Sequence, residues 1–124
     1  MVKISEKTRE EVRNRAGRCY EYCLSQEFFS PSSFSIEYII PKSKGGTNAP
    51  DNLALACMGC NNHKYNKTHY LNPASQTEVA IYHPRRQAWQ EHFAWNDDLT
   101  RVVGLTPTGR ATIICLQLNR QELI

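Results

Sequence analysis

The residues of this chain best suited to chemistry are its cysteines. Four of the five stand in two close pairs, Cys19-Tyr-Glu-Tyr-Cys23 and Cys57-Met-Gly-Cys60, while Cys115 lies alone in an apolar run. A spacing of about two to four residues lets a turn bring the second sulfur back beside the first, and two such pairs can close a tetrahedral thiolate site of the kind zinc prefers. Cys19, Cys23, Cys57 and Cys60 are therefore the expected zinc ligands. The alternative is four thiols buried as small hydrophobes, the reading that also suits Cys115. A second chemical feature surrounds the later pair. Lys42, Lys44, Lys64 and Lys67 flank it with only Asp51 among them, a local positive excess suited to phosphate, although a solvated surface has the same composition.

The elements that must carry these residues follow from periodicity and punctuation. Residues 5 to 16 open with cap candidates Ser5 and Thr8, the latter in capping-box spacing with Glu11, and share a thin apolar face of Thr8, Val12 and Ala16 before Gly17 ends the helix. Phe34 to Ile40 alternates as a strand, with Phe34, Ile36, Tyr38 and Ile40 on one face and Ser35, Glu37 and Ile39 on the other. On alternation alone Glu37 reads as an exposed charge. Pro41 stops the strand, the Ser43 to Asp51 stretch is turn chemistry, and Asn52 to Ala56 returns as a second strand. A helix is expected from about Asn61 to His69. Further on, Trp89 and Phe93 suit a short docking helix, Asn96 to Asp98 a turn, and Thr106-Pro107 the cap of a last helix reaching about Arg120.

The order strand, loop, strand, cysteine knuckle, helix, with the residues Glu37-Tyr-Ile-Ile-Pro41, Gly45-Gly46, Asn52-Leu53 and Cys57-x-x-Cys60-Asn61-x-x-Lys64, resembles the HNH endonuclease family. The later pattern of Pro84-Arg85, Trp89, His92-Phe93 and Thr106 to Thr112 also resembles that of HNH proteins, so the likeness runs over most of the chain. It implies a single α+β domain over residues 1–124, with a ββα-metal core at about 19–69 and a C-terminal extension at about 81–124. It also implies metal-dependent hydrolysis of DNA phosphodiesters, with RNA left open. Carried over residue by residue, Glu37 and Asn61 become ligands of a catalytic Mg²⁺ or Mn²⁺ and Asn52 the brace of the loop; Lys64, three residues after Asn61 and so on the same helix face, is expected to contact phosphate beside Lys42, Lys44 and Lys67.

Tyr38 departs from that pattern, standing where the family has its catalytic histidine. An imidazole accepts a proton at neutral pH and a phenol ordinarily keeps its own. The rival expectation is therefore a zinc-stabilised nucleic-acid-binding module without cleavage. A formal charge of +3 decides little between them. No apolar run of about 18 residues and no secretory apolar core are present, so a cytoplasmic protein off the membrane is expected.

Overall fold

The computed structural model describes residues 4–24 and 34–120. Helix α1 (Glu6–Arg15) starts where the caps place it, with the Ser5 hydroxyl accepting from the Thr8 N–H at 3.2 Å. Its apolar face is as thin as the sequence suggests, and only Val12 is buried. Docking holds it: Arg15 donates to the carbonyls of Pro50 (2.9 Å) and Leu53 (2.7 Å). Gly17 and Arg18, both at positive φ, then turn the chain back.

Strands β1 (Phe34–Tyr38) and β2 (Leu53–Cys57) pair antiparallel, Phe34 opposite Cys57 and Tyr38 opposite Leu53. Every residue of β2 is buried. Glu21 covers part of its outer edge, its N–H donating to the Leu55 carbonyl (2.8 Å) while its carboxylate accepts from the Leu55 N–H (2.7 Å). An edge that would otherwise expose unpaired backbone is thereby closed. Between the strands the chain makes short 3-10 turns at Lys42–Lys44 and Pro50–Asn52. Gly46 lies against the Ile40 carbonyl so tightly that a Cβ would enter it.

Helix α2 (Met58–Lys64) follows β2 directly and packs on both strands. Then come hairpin β3 (His69–Asn72) and β4 (Thr77–Ala80), the single turn α3 (Trp89–His92), and the pair β5 (Phe93–Trp95) and β6 (Val102–Gly104). Helix α4 (Pro107–Leu116) has Thr106 as its N-cap, accepting from the Gly109 N–H at 3.0 Å. The later elements join the first: Trp89 donates to the Tyr22 carbonyl (3.1 Å), Arg85 ion-pairs with Glu21, and Thr112 accepts from the Tyr82 N–H at 2.8 Å. Tyr20, Tyr22, Leu53, Leu55, Trp89, Phe93 and Leu116 share one core.

Mixed helices and strands in the order β1, β2, α2 agree with the expected core; β1 stops at Tyr38 instead of Ile40, β2 lies one residue later than expected, and three later boundaries also differ. Helix α2 spans Met58–Lys64 rather than 61 to 69, because the Cys57 sulfur caps it by accepting from the Cys60 N–H (3.3 Å), and Tyr65 at φ 52° ends it. His69 to Asn72 is extended instead, paired with β4. The last helix stops at Leu116, where Gln117 turns left-handed and the Leu118 N–H closes on the Ile113 carbonyl (3.1 Å). The fit at Gly46 gives a direct test. Gly46→Ala must displace the end of β1 or the loop, so urea unfolding should show a loss of at least about 2 kcal/mol, against little change at exposed Gly17 replaced by Asn.

Candidate functional site

Three of the four expected zinc ligands converge. Cys57 ends β2, Cys60 sits in the first turn of α2, and Cys23 arrives from the segment after α1; their sulfurs all lie within 4.8 Å of one another. Zinc–sulfur bonds of about 2.3 Å in a tetrahedron require sulfurs about 3.8 Å apart, and the Cys23 to Cys57 separation is 4.0 Å. The set thus fits a thiophilic ion. Cys19 does not join it. Tyr20 and Tyr22 take core positions between the two cysteines, fixing the path of the segment, and the Cys19 sulfur falls outside the cluster.

The cluster is electrostatically uneven. The Cys57 thiol is pulled far below its ordinary range, chiefly by hydrogen bonding from Cys23 and then Cys60, with the Arg120 guanidinium adding to it. Cys60 is pushed up by those same two neighbours and by burial. Donors around Cys57 favour a thiolate there, and a divalent cation would offset the repulsion that further thiolates beside it would meet.

The second constellation lies where β1 meets α2. Glu37 and Lys64 are 2% and 1% exposed, and the ammonium approaches the carboxylate oxygen Oε1 at 2.7 Å while donating to the Ile39 carbonyl at 2.9 Å. The ion-pair distance is short, yet neither Glu37 oxygen has a well-aligned hydrogen bond among the described residues, and neither does the buried Tyr22 hydroxyl. Burial raises the Glu37 carboxyl above its usual range, opposed by Lys64 and by Tyr22. Burial first, and the Glu37 charge second, push Tyr22 up strongly. Asn61, one turn before Lys64 on α2, donates to the Ser35 hydroxyl (3.1 Å), two residues before Glu37 on β1.

Asn52 braces the end of β1. Its carbonyl oxygen accepts from the Ile40 N–H (2.8 Å) and its amide donates to the carbonyls of Ile40 and Thr47 (both 2.9 Å). Tyr38, the last residue of β1 and on the face opposite Glu37, donates to Asn48 (2.8 Å), and Lys42 stands over its ring with the ammonium 5.3 Å from the centroid. Lys42 and Lys44 are exposed, Lys67 is half-buried, and Lys64 is enclosed by its ion pair. Lys64 is therefore placed as the partner of Glu37 and not as an open phosphate contact. Tyr22, Ser35, Asn48 and Arg120 take part in these two sites without any motif signal that could have singled them out.

Residues 19–67 match the family model of the HNH endonuclease. No curated protein and no solved structure matches the chain. The match bears out the family resemblance over the stretch that contains β1, β2, α2 and the cysteine cluster, and it ties that stretch to nuclease or nucleic-acid-related chemistry. No helix among the described residues is long and apolar enough to cross a membrane.

The Glu37–Lys64 pair makes a stability prediction with a definite sign. Lys64→Met leaves a buried carboxylate unpaired and should cost about 3 to 5 kcal/mol in denaturant unfolding, whereas the double change Glu37→Leu with Lys64→Met should recover most of that loss. Equal stability of the two variants would show that the pair is not coupled.

Proposed function

We propose that the chain is an HNH-type endonuclease domain acting on DNA, with its fold stapled by zinc at the cysteine cluster. Its hydrolysis is held at least about 10²-fold below what the scaffold could support, because Tyr38 occupies the general-base position. The observation that carries this reading is the separation of scaffold from base. The Asn52 brace is complete, yet the side chain beside it is a phenol bonded to Asn48. The donor chemistry at β1 and α2 suits a hard divalent ion, since the Glu37 carboxylate and the Asn61 amide oxygen are hard donors, although Lys64 already ion-pairs with Glu37 at 2.7 Å. Glu37 and Asn61 would hold it. When bound, such an ion neutralises charge on the phosphate and the leaving oxygen. Lys64 must first withdraw from Glu37, and Asn52 keeps the loop after β1 in register while it does so.

Tyr38→His should raise Mg²⁺- or Mn²⁺-dependent nicking of supercoiled plasmid by about 10² or more. The gain should grow with pH through about 6 to 7, as imidazole loses its proton, and Glu37→Ala in that background should abolish it. Equal cleavage by the parent and the histidine variant would sink the assignment of Tyr38 as the lesion.

The buried Glu37–Lys64 pair favours a second reading, a nucleic-acid-binding module without cleavage, which no nicking by either folded protein would select. Both readings share the phosphate surface. Lys42, Lys44 and Lys67 neutralising about three phosphates would give log K against log salt a slope of about −2.7, with Lys44→Ala reducing it by about one on every sequence. Salt-independent binding, or none at low salt, would remove DNA and RNA alike as partners.

A further inference from the structure

Arg120 stands 60 residues beyond Cys60, outside the stretch that matches the HNH family, and its guanidinium reaches the cysteine cluster. One terminal nitrogen donates to the Cys57 sulfur at 3.2 Å and the Cys60 sulfur at 3.5 Å; the other donates to Cys60 at 3.6 Å and to the carbonyls of Leu116 (3.1 Å) and Gln117 (3.2 Å). Those carbonyls are at the end of α4, where the helix presents unpaired acceptors and a partial negative charge. The planar fork is thus held on one side by backbone and offers its remaining donors to sulfur. An independent feature of the knuckle matches it. Gly59 lies under the guanidinium, and a Cβ there would come within 2.6 Å of a terminal nitrogen and 3.1 Å of the central carbon. Gly59 has no positive φ, so its bare Cα is not needed for backbone conformation, and a side chain there would push the Arg120 guanidinium from its present place.

We propose that Arg120 is a positioning residue of the metal centre, supplied by the C-terminal extension. It orients the Cys57 and Cys60 thiolates and offsets the surplus negative charge that three or four thiolates leave around a divalent ion. The inference rests on the zinc reading above. Groups that hydrogen-bond metal ligands commonly change metal retention by about 10- to 100-fold when removed. Hydrogen bonds from a cation to thiolate sulfur also lower the sulfur's electron donation and its exposure to attack. Because Arg120 is anchored to α4, metal retention at the knuckle is coupled to the folding of the last helix.

The experiment uses the full chain, purified reduced, with zinc measured first and its loss then followed in excess 4-(2-pyridylazo)resorcinol. Arg120→Met, which keeps apolar contact over Gly59, should release zinc about 10- to 100-fold faster than wild type, and Arg120→Lys should fall between. Gly59→Ala should speed release on its own, by displacing the guanidinium, but add nothing in the Arg120→Met background. In Co²⁺-loaded protein the sulfur-to-cobalt charge-transfer bands should shift in Arg120→Met and stay in place in the surface control Lys7→Met. Equal release rates, unchanged bands, or additive effects of the two substitutions would overturn the role of Arg120 alone. If Arg120→Met fails to fold, the rates and bands of Arg120→Lys and Gly59→Ala give the same decision. Wild-type protein without zinc would overturn the zinc reading itself, and this inference with it.

Discussion

Convergence of three chain segments on the Cys23, Cys57 and Cys60 sulfurs is the constraint on which the rest of the structure depends. Cys57 has three roles at once: it closes β2, caps α2 through the Cys60 N–H, and accepts from Cys23 and Arg120. The start of α2 is thereby fixed relative to the sheet, and with it the register that sets Asn61 against Ser35 and Lys64 against Glu37. A shift of α2 by one residue would turn both polar side chains about 100° around the helix, away from Ser35 and Glu37, and leave the buried Glu37 carboxylate without its cation at a cost of several kcal/mol. The thiol cluster and the acid-amide site are separate chemically but share one mechanical reference.

Much of the fold is legible in the sequence because its signals are local. Ser5 and Thr106 are side-chain caps, Gly17 a turn, Pro41 a strand stop, and each acts within a few residues of itself. The offset of α2 was hidden because the cap is a cysteine, whose sulfur is not an expected N-cap acceptor. Hairpin β3–β4 was hidden by its composition: His69 and Leu71 are exposed, and only Asn72 is buried, so no clean alternation marks it. Of the candidate site, the cysteine pairs and the acid, amide and lysine were read from spacing together with family likeness. What spacing could not supply was depth. Alternation gives Glu37 a face but not the fact that α2 covers that face, so an apparently exposed charge proves to be 2% exposed.

The Asn52 brace explains how the scaffold tolerates a phenol at position 38. Its three hydrogen bonds all go to backbone groups of Ile40 and Thr47, so the loop is held whatever side chain precedes it. Tyr38 in turn meets its own needs at the surface, through Asn48 and the cation of Lys42. Chemistry and architecture are thus decoupled at this point. Under the proposed function, a missing proton acceptor at position 38 leaves the backbone that presents it undisturbed.

The two candidate cation sites differ in what stands in them already. At the cysteine cluster the thiols are close to ligand spacing and only protons need leave, so a thiophilic ion meets soft donors whose cationic neighbour, Arg120, approaches from outside the cluster and can stay as a hydrogen-bond donor. At Glu37 the position beside Oε1 is taken by a tethered ammonium at 2.7 Å, whose effective concentration there is high because α2 and the Ile39 carbonyl hold it in place. A hard ion must displace that ammonium, lose part of its own hydration shell, and leave Lys64 to find water or phosphate outside. Nucleic acid can supply the last of these, since a backbone phosphate is an acceptor for the displaced lysine as well as a ligand for the ion. Under the proposed function, binding of ion and nucleic acid would therefore be mutually favourable, each relieving the cost that the other meets at Lys64.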